Sequence, residues 1–139
     1  MRKQIAGLLG LVALAATTAV SAYEPTPERV TDGVYALVGP ITGRTAENDA
    51  LNNNQGFVIT DEGVVLIDSG ASTLGAQKID AAIDTVTDKP VTHVINTGSQ
   101  DHRWLGNGYF RDQGAEIIAL ARTVETQKRF AEQHMDHLE

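Results

Sequence analysis

The sequence contains no cysteine. Disulfides therefore play no part in holding it together, no thiolate is available as a nucleophile, and any metal must sit on His, Asp, Glu or Gln. Basic residues are also scarce. Two of the eleven Lys and Arg fall within the first 22 residues, which hold no acid, so the rest of the chain carries nine basic against eighteen acidic residues, a formal charge of −9. A protein that grips phosphate backbones needs a basic footprint, and here the few Arg and Lys are scattered, which argues against nucleic acid as a partner. Long apolar runs are missing too, with one exception. Residues Ile5 to Val20 are uncharged, but the run falls short of the ~20 residues a membrane-spanning helix needs. No internal repeat and no low-complexity segment is evident.

That apolar run follows Arg2 and Lys3 and ends in Val20-Ser21-Ala22. A basic start, a short apolar centre and acceptable residues at the first and third positions before Tyr23 are the marks of a secretory signal peptide cleaved after Ala22. The other reading is a retained anchor, which the shortness and the Ala/Thr content of the run disfavour. The expected organisation is thus a signal peptide over 1–22 and a soluble domain over 23–139, periplasmic or secreted, with no membrane association after cleavage.

Residues 23–28 hold two prolines and read as an extended leader. Around Asp32-Gly33 two short strands fold back on each other, with Val34, Ala36 and Val38 on one face and Tyr35 and Leu37 on the other. Pro40 to Asn54 has four Asn and no apolar period, so it is a long loop. A hairpin follows: Phe57 to Thr60, a turn ending in Gly63, then Val64 to Ile67, a run apolar on both faces that predicts a strand covered on both sides. Asp68-Ser69-Gly70 stops it. Ser72 is a good cap for a helix over 73–86 with the stripe Leu74, Ile79, Ala82, Ile83 and Val86. Val91 to Ile95 is a strand, Asn96 to Asn107 a polar loop, 108–113 a short helix, 116–120 a strand and 122–137 a helix with Thr123 available as cap. Such alternation gives an α/β (α+β) class in which ligands gather at the carboxyl ends of strands. Two ends carry reactive side chains: Asp68, and the segment from Asn96 to Arg103.

At these residues the sequence resembles the metallo-β-lactamase fold superfamily, over about Val30 to Arg122. The carriers are Gly56-Phe57-Val58-Ile59, Gly63 to Gly70, Lys89-Pro90-Val91, Val94-Ile95-Asn96-Thr97, Leu105-Gly106-Asn107 and Gly114 to Ala119. The resemblance implies the N-terminal half of an αββα sandwich, one or two zinc ions held by a His-x-His-x-Asp-His loop after the Asn-Thr pair, and a metal-bound water with its pKa lowered to about 7. The loop here departs from that pattern. Aligned without gaps, the ligand positions fall on Gly98, Gln100, His102 and Arg103. Gly98 has no side chain, Gln100 is a weak neutral ligand and a guanidinium repels a dication. A shift of one residue keeps Asp101 and His102 as the Asp-His pair.

Two readings of the loop stand. In one, Asp101 and His102 serve a metal or acid–base site, with Gln100 and Asp68 as further metal-site residues and Asp68 orienting an imidazole. In the other, Asp101 pairs with Arg103, His102 is solvated, and Asp68 caps backbone N–H groups. Trp104 reads as a packing anchor, and Asn52, Asn53 and Asn54 as turn residues. His93, inside a strand, reads as a sheet-face imidazole. His134 and His137 share a helix face, read as solvated. The resemblance also implies that later ligands and a second half lie beyond Glu139, so the chain reads as a fragment; a half-domain standing alone would pair with a second copy through its uncovered sheet. The function expected is an exported hydrolase acting on a small-molecule ester, thioester or amide, with this portion inactive alone. The alternative is a binding module that keeps the fold without its metal.

Overall fold

The computed structural model describes residues 23–136. The proposed signal peptide and His137 lie outside them. A six-stranded sheet runs in chain order: β1 (Pro27–Thr31), β2 (Val34–Leu37), β3 (Gln55–Ile59), β4 (Val64–Ile67), β5 (Val91–Ile95) and β6 (Glu116–Ile118). The first four strands form an antiparallel meander, and β4, β5 and β6 are parallel. The change of sense follows from the connections. Short turns join β1 to β2 and β3 to β4, while helix α1 (Thr73–Asp84) carries the chain from β4 back to the start of β5, and α2 (Asn107–Asp112) from β5 to β6. Helix α3 (Ala121–Asp136) follows β6.

Alternation along the strands sorts the side chains into two faces. In register across the sheet, Tyr35, Phe57, Leu66, Val94 and Ile117 form one row. They meet Ala76, Ile79, Ala82 and Ile83 of α1 and Phe110 of α2 in the core. Tyr35 and Phe57 stack with centroids 5.0 Å apart. Each fully buried large side chain here contributes on the order of 1.5–3 kcal/mol. The opposite face carries Val58, Val65, Ile67, Ile95 and Ile118. Among the described residues nothing covers it fully, and Ile95 and Ile118 are 38% and 41% exposed. The doubly apolar β4 therefore does not have cover on both sides as its sequence predicts: Val64 and Leu66 are buried, but Val65 and Ile67 only partly so.

Helix α1 begins where expected, with the Ser72 hydroxyl accepting from Gly75 N at 2.9 Å. Its stripe differs. Leu74 is 60% exposed, because it lies about 140° around the helix from Ile79, and Gly75 and Ala76 occupy the buried arc instead. The helix also stops at Asp84, where the Thr85 hydroxyl donates to the Ala82 carbonyl at 2.7 Å and tightens the last turn. At the other end of the sheet Thr123 lies inside the first turn of α3 and does not cap it, its N–H donating to Leu120 O.

The long connection from β2 to β3 is ordered by polar contacts. Ser72 Oγ donates to Asp49 O at 2.7 Å, and Lys78 Nζ reaches Asp49 Oδ2 at 2.8 Å and Tyr23 O at 2.7 Å. Asp49 and Ala50 adopt positive φ, turning Leu51 into the core. Because β2 runs parallel to β4 through the meander, this loop leaves the sheet at the same end as Asp68 and Asn96.

Candidate functional site

The candidate site is built on the carboxyl ends of β4 and β5. Asp68 continues the ladder, its N–H donating to Ile95 O at 3.0 Å, and then turns out of the strand with φ +63°. Asp is among the few residues with side chains that tolerate this left-handed conformation, and such local strain concentrates at functional sites. The residue is 2% exposed. Its Oδ1 accepts from Thr97 N at 2.8 Å, and its Oδ2 accepts from the Thr97 hydroxyl at 2.7 Å and from Arg103 Nη1 at 2.9 Å. Arg103 Nη1 also donates to Thr97 Oγ1 at 2.5 Å. Asp68 thus joins the two readings only halfway: it does cap the Thr97 N–H, but its charged partner is a guanidinium and not an imidazole.

The loop from Asn96 to Asn107 is clasped at its ends. The Asn96 and Asn107 amides pair reciprocally, Nδ2 to Oδ1, at 3.0 and 2.8 Å. Ser69 Oγ donates to Asn107 Oδ1 at 2.8 Å, and Ser69 N to Arg103 O at 3.2 Å. Gly106 sits against this clasp, where a Cβ would overlap Ser69 O and lie 2.9 Å from Ser69 C. From the outside, Gln127 of α3 donates to Gly98 O at 3.3 Å. Trp104 anchors the loop as expected, its indole N–H donating to Ser99 O at 3.1 Å and its ring tilted against His134.

Between the ends the chain makes a short 3₁₀ turn, Asp101–Arg103. Asp101 is buried, with Oδ2 accepting from Arg44 Nη1 at 2.5 Å and Oδ1 accepting from His102 N at 2.7 Å. His102 Nδ1 stands 3.2 Å from the same Oδ1. Burial by itself would raise the Asp101 carboxyl, but the Arg44 and His102 N–H bonds and the nearby positive charges leave it below the usual range. Burial, with Arg103 and Arg44 nearby, also depresses the His102 imidazole, outweighing the pull of Asp101. The partner of Asp101 is therefore Arg44, from the β2–β3 loop, rather than Arg103. Gln100 is exposed and turns its side chain toward Gly98, while His93 lies on the open sheet face, 3.8 Å from Glu116. No three His, Asp or Glu side chains among the described residues are placed to share a metal ion.

No protein-family profile matches the sequence, and no curated protein matches it. Solved structures do. The chain superimposes on the metallo-β-lactamase FIM-1 from Pseudomonas aeruginosa in its mono-zinc form with a TM-score of 0.63 and 19% identity, over 83% of this chain and 48% of that one. The chain carries part of the metallo-β-lactamase fold. Metallo-β-lactamases from Hirschia baltica (TM-score 0.65, 17% identity, 78% of this chain and 49% of the other) and Pontibacter korlensis (0.63, 21%, 78% and 48%) agree. The chain spans about half the length of the solved structures it matches.

The described residues at this site do not fit the zinc that the metallo-β-lactamase fold implies. Arg103 places a permanent positive charge on Asp68, Asp101 is engaged by a second guanidinium, Gly98 offers no donor and Gln100 is neutral. The sequence singled out Asp68 and the segment from Asn96 to Arg103, but gave Thr97 no role and did not point to Arg44 or the Asn96–Asn107 clasp. The direction of β2 is a signal for Arg44, since it puts residues 40–54 at the same end as Asp68. Thr97 stands two residues beyond the end of β5, inside the segment that was singled out.

Proposed function

We propose that the chain belongs to an exported protein that uses the metallo-β-lactamase fold as a ligand-binding module, its strand-end site held by ion pairs in place of a metal. The observation that carries this reading is the Arg103 guanidinium on the buried Asp68 carboxylate, 2.9 Å away. Hydrolysis of an ester, thioester or amide by metal-activated water is the reading the fold suggests, but it needs a donor set that tolerates a dication. A small molecule bound at the carboxyl ends of β4 and β5 needs none. The export half of the reading rests on the sequence of residues 1–22, and among the described residues no helix is long and apolar enough to cross a membrane.

One observation favours a second reading. Burial lowers the pKa of the His102 imidazole, and its Nδ1 stands 3.2 Å from Asp101 Oδ1, the geometry of an acid–base pair that works without a metal. One experiment separates the readings: refold the chain with excess zinc, manganese or iron, dialyse, and measure metal content and ester and thioester hydrolysis. The binding-module reading expects less than about one-tenth equivalent of metal and no turnover. Turnover abolished by His102→Ala would favour the acid–base pair, and a full equivalent of metal with turnover would restore the hydrolase.

A further inference from the structure

We propose that Asp68 and Thr97 form a cation seat that the chain fills with its own Arg103 guanidinium, and that glycine at position 98 makes the room for it. The inference rests on the metal-free reading above and specifies what stands at that place. A carboxylate whose side chain is 3% exposed must have a compensating charge. Both Asp68 oxygens are directed: Oδ1 by the Thr97 N–H, Oδ2 by the Thr97 hydroxyl. Because that hydroxyl gives its proton to Asp68, its lone pairs are left for Arg103, and Nη1 lies between two oxygens, one of them anionic.

The arginine is not placed there by its own hydrogen-bonding needs. Its Nε is buried without a partner. A guanidinium that gives up one bond to sit on Asp68 is held by the charge of the seat. Its stem also needs space. A Cβ on residue 98 would lie 3.0 Å from Arg103 Cδ, 3.3 Å from Nε and 2.6 Å from Gln100 Oε1. A side chain at 98 would therefore crowd the arginine stem, which would have to give way by a few tenths of an ångström, and would displace the end of Gln100.

The test is thermal melting of the full chain with 10 mM methylguanidinium chloride or, at equal ionic strength, sodium chloride. Arg103→Ala should melt below wild type and regain about 3–6 °C with methylguanidinium, while wild type and Asp68→Asn/Arg103→Ala do not respond. Gly98→Ala should lower the melting temperature of wild type and do so by less than half as much in the Arg103→Ala background. Equal responses in all three proteins, or a Gly98→Ala cost that ignores residue 103, would overturn the seat. Should Arg103→Ala fail to fold, Asp68→Asn/Arg103→Met, which removes both charges, is expected to fold; its failure as well would overturn the proposal. Zinc uptake by wild type would sink the metal-free reading and leave these melting differences standing. Absent differences without zinc uptake would sink the seat alone.

Discussion

Replacing Arg103 by Met keeps most of its stem and removes its charge, leaving Asp68 with Thr97 as its only partner. Removing one member of a buried ion pair costs about 3–5 kcal/mol. Asp68 is nearly inaccessible, but the Arg103 side chain is 34% exposed, so water reaches one side of the pair and the cost falls below that range, to roughly 2–3 kcal/mol. For a domain of this size that corresponds to a fall of roughly 8–12 °C in melting temperature. Urea unfolding at pH 7 of wild type, Arg103→Met, Asp68→Asn and the double variant would measure it, and the double variant should lie within about 1 kcal/mol of wild type because no buried charge is left uncompensated. A single-variant loss below about 0.5 kcal/mol, or a double variant no better than Arg103→Met, would refute the reasoning.

Acidification provides a second check. His102 has a depressed folded-state pKa, so between that value and the unfolded value of about 6.5 the unfolded chain binds more protons, and stability present above 6.5 is lost as pH falls. His102→Gln should flatten the fall in urea stability from pH 7 to pH 5. Asp101 is depressed as well, so its contribution persists above the ordinary carboxylate range and disappears only under stronger acid, below about pH 4; Arg44→Met should reduce that acid-dependent part. Gly106→Ala forces a methyl into Ser69 O and should cost about 2–3 kcal/mol in chemical denaturation. On α1, Ile79→Ala should cost about 2–5 kcal/mol and Leu74→Ala under about 0.5 kcal/mol, which measures the corrected stripe.

Most of the fold was legible because local chemistry and periodicity agreed. Gly33 and Gly63 mark the two tight turns, Ser72 marks the start of α1, and the apolar runs at 64–67 and 91–95 mark the central strands. What failed depended on tertiary placement. Leu74 is apolar but off the buried arc, and Val65 and Ile67 are apolar on a face that none of the described helices covers. The site divides in the same way. Its address at Asp68 and Asn96–Asn107 follows from strand ends, whereas the pairing of Asp68 with Arg103 depends on the 3₁₀ turn at Asp101–Arg103 and on the space left by Gly98. Arg44 comes from a loop without periodicity, and only the direction of β2 gives away its end of the sheet.

The most direct test of the ion-paired site is the side-chain nitrogen NMR spectrum of Arg103. Held between Asp68 and Thr97, its Nη groups should rotate slowly and give resolved signals that one equivalent of zinc leaves unmoved and Asp68→Asn collapses. A single averaged, solvent-like Nη signal in the unmodified chain, or displacement of the resolved signals by zinc, would contradict the account.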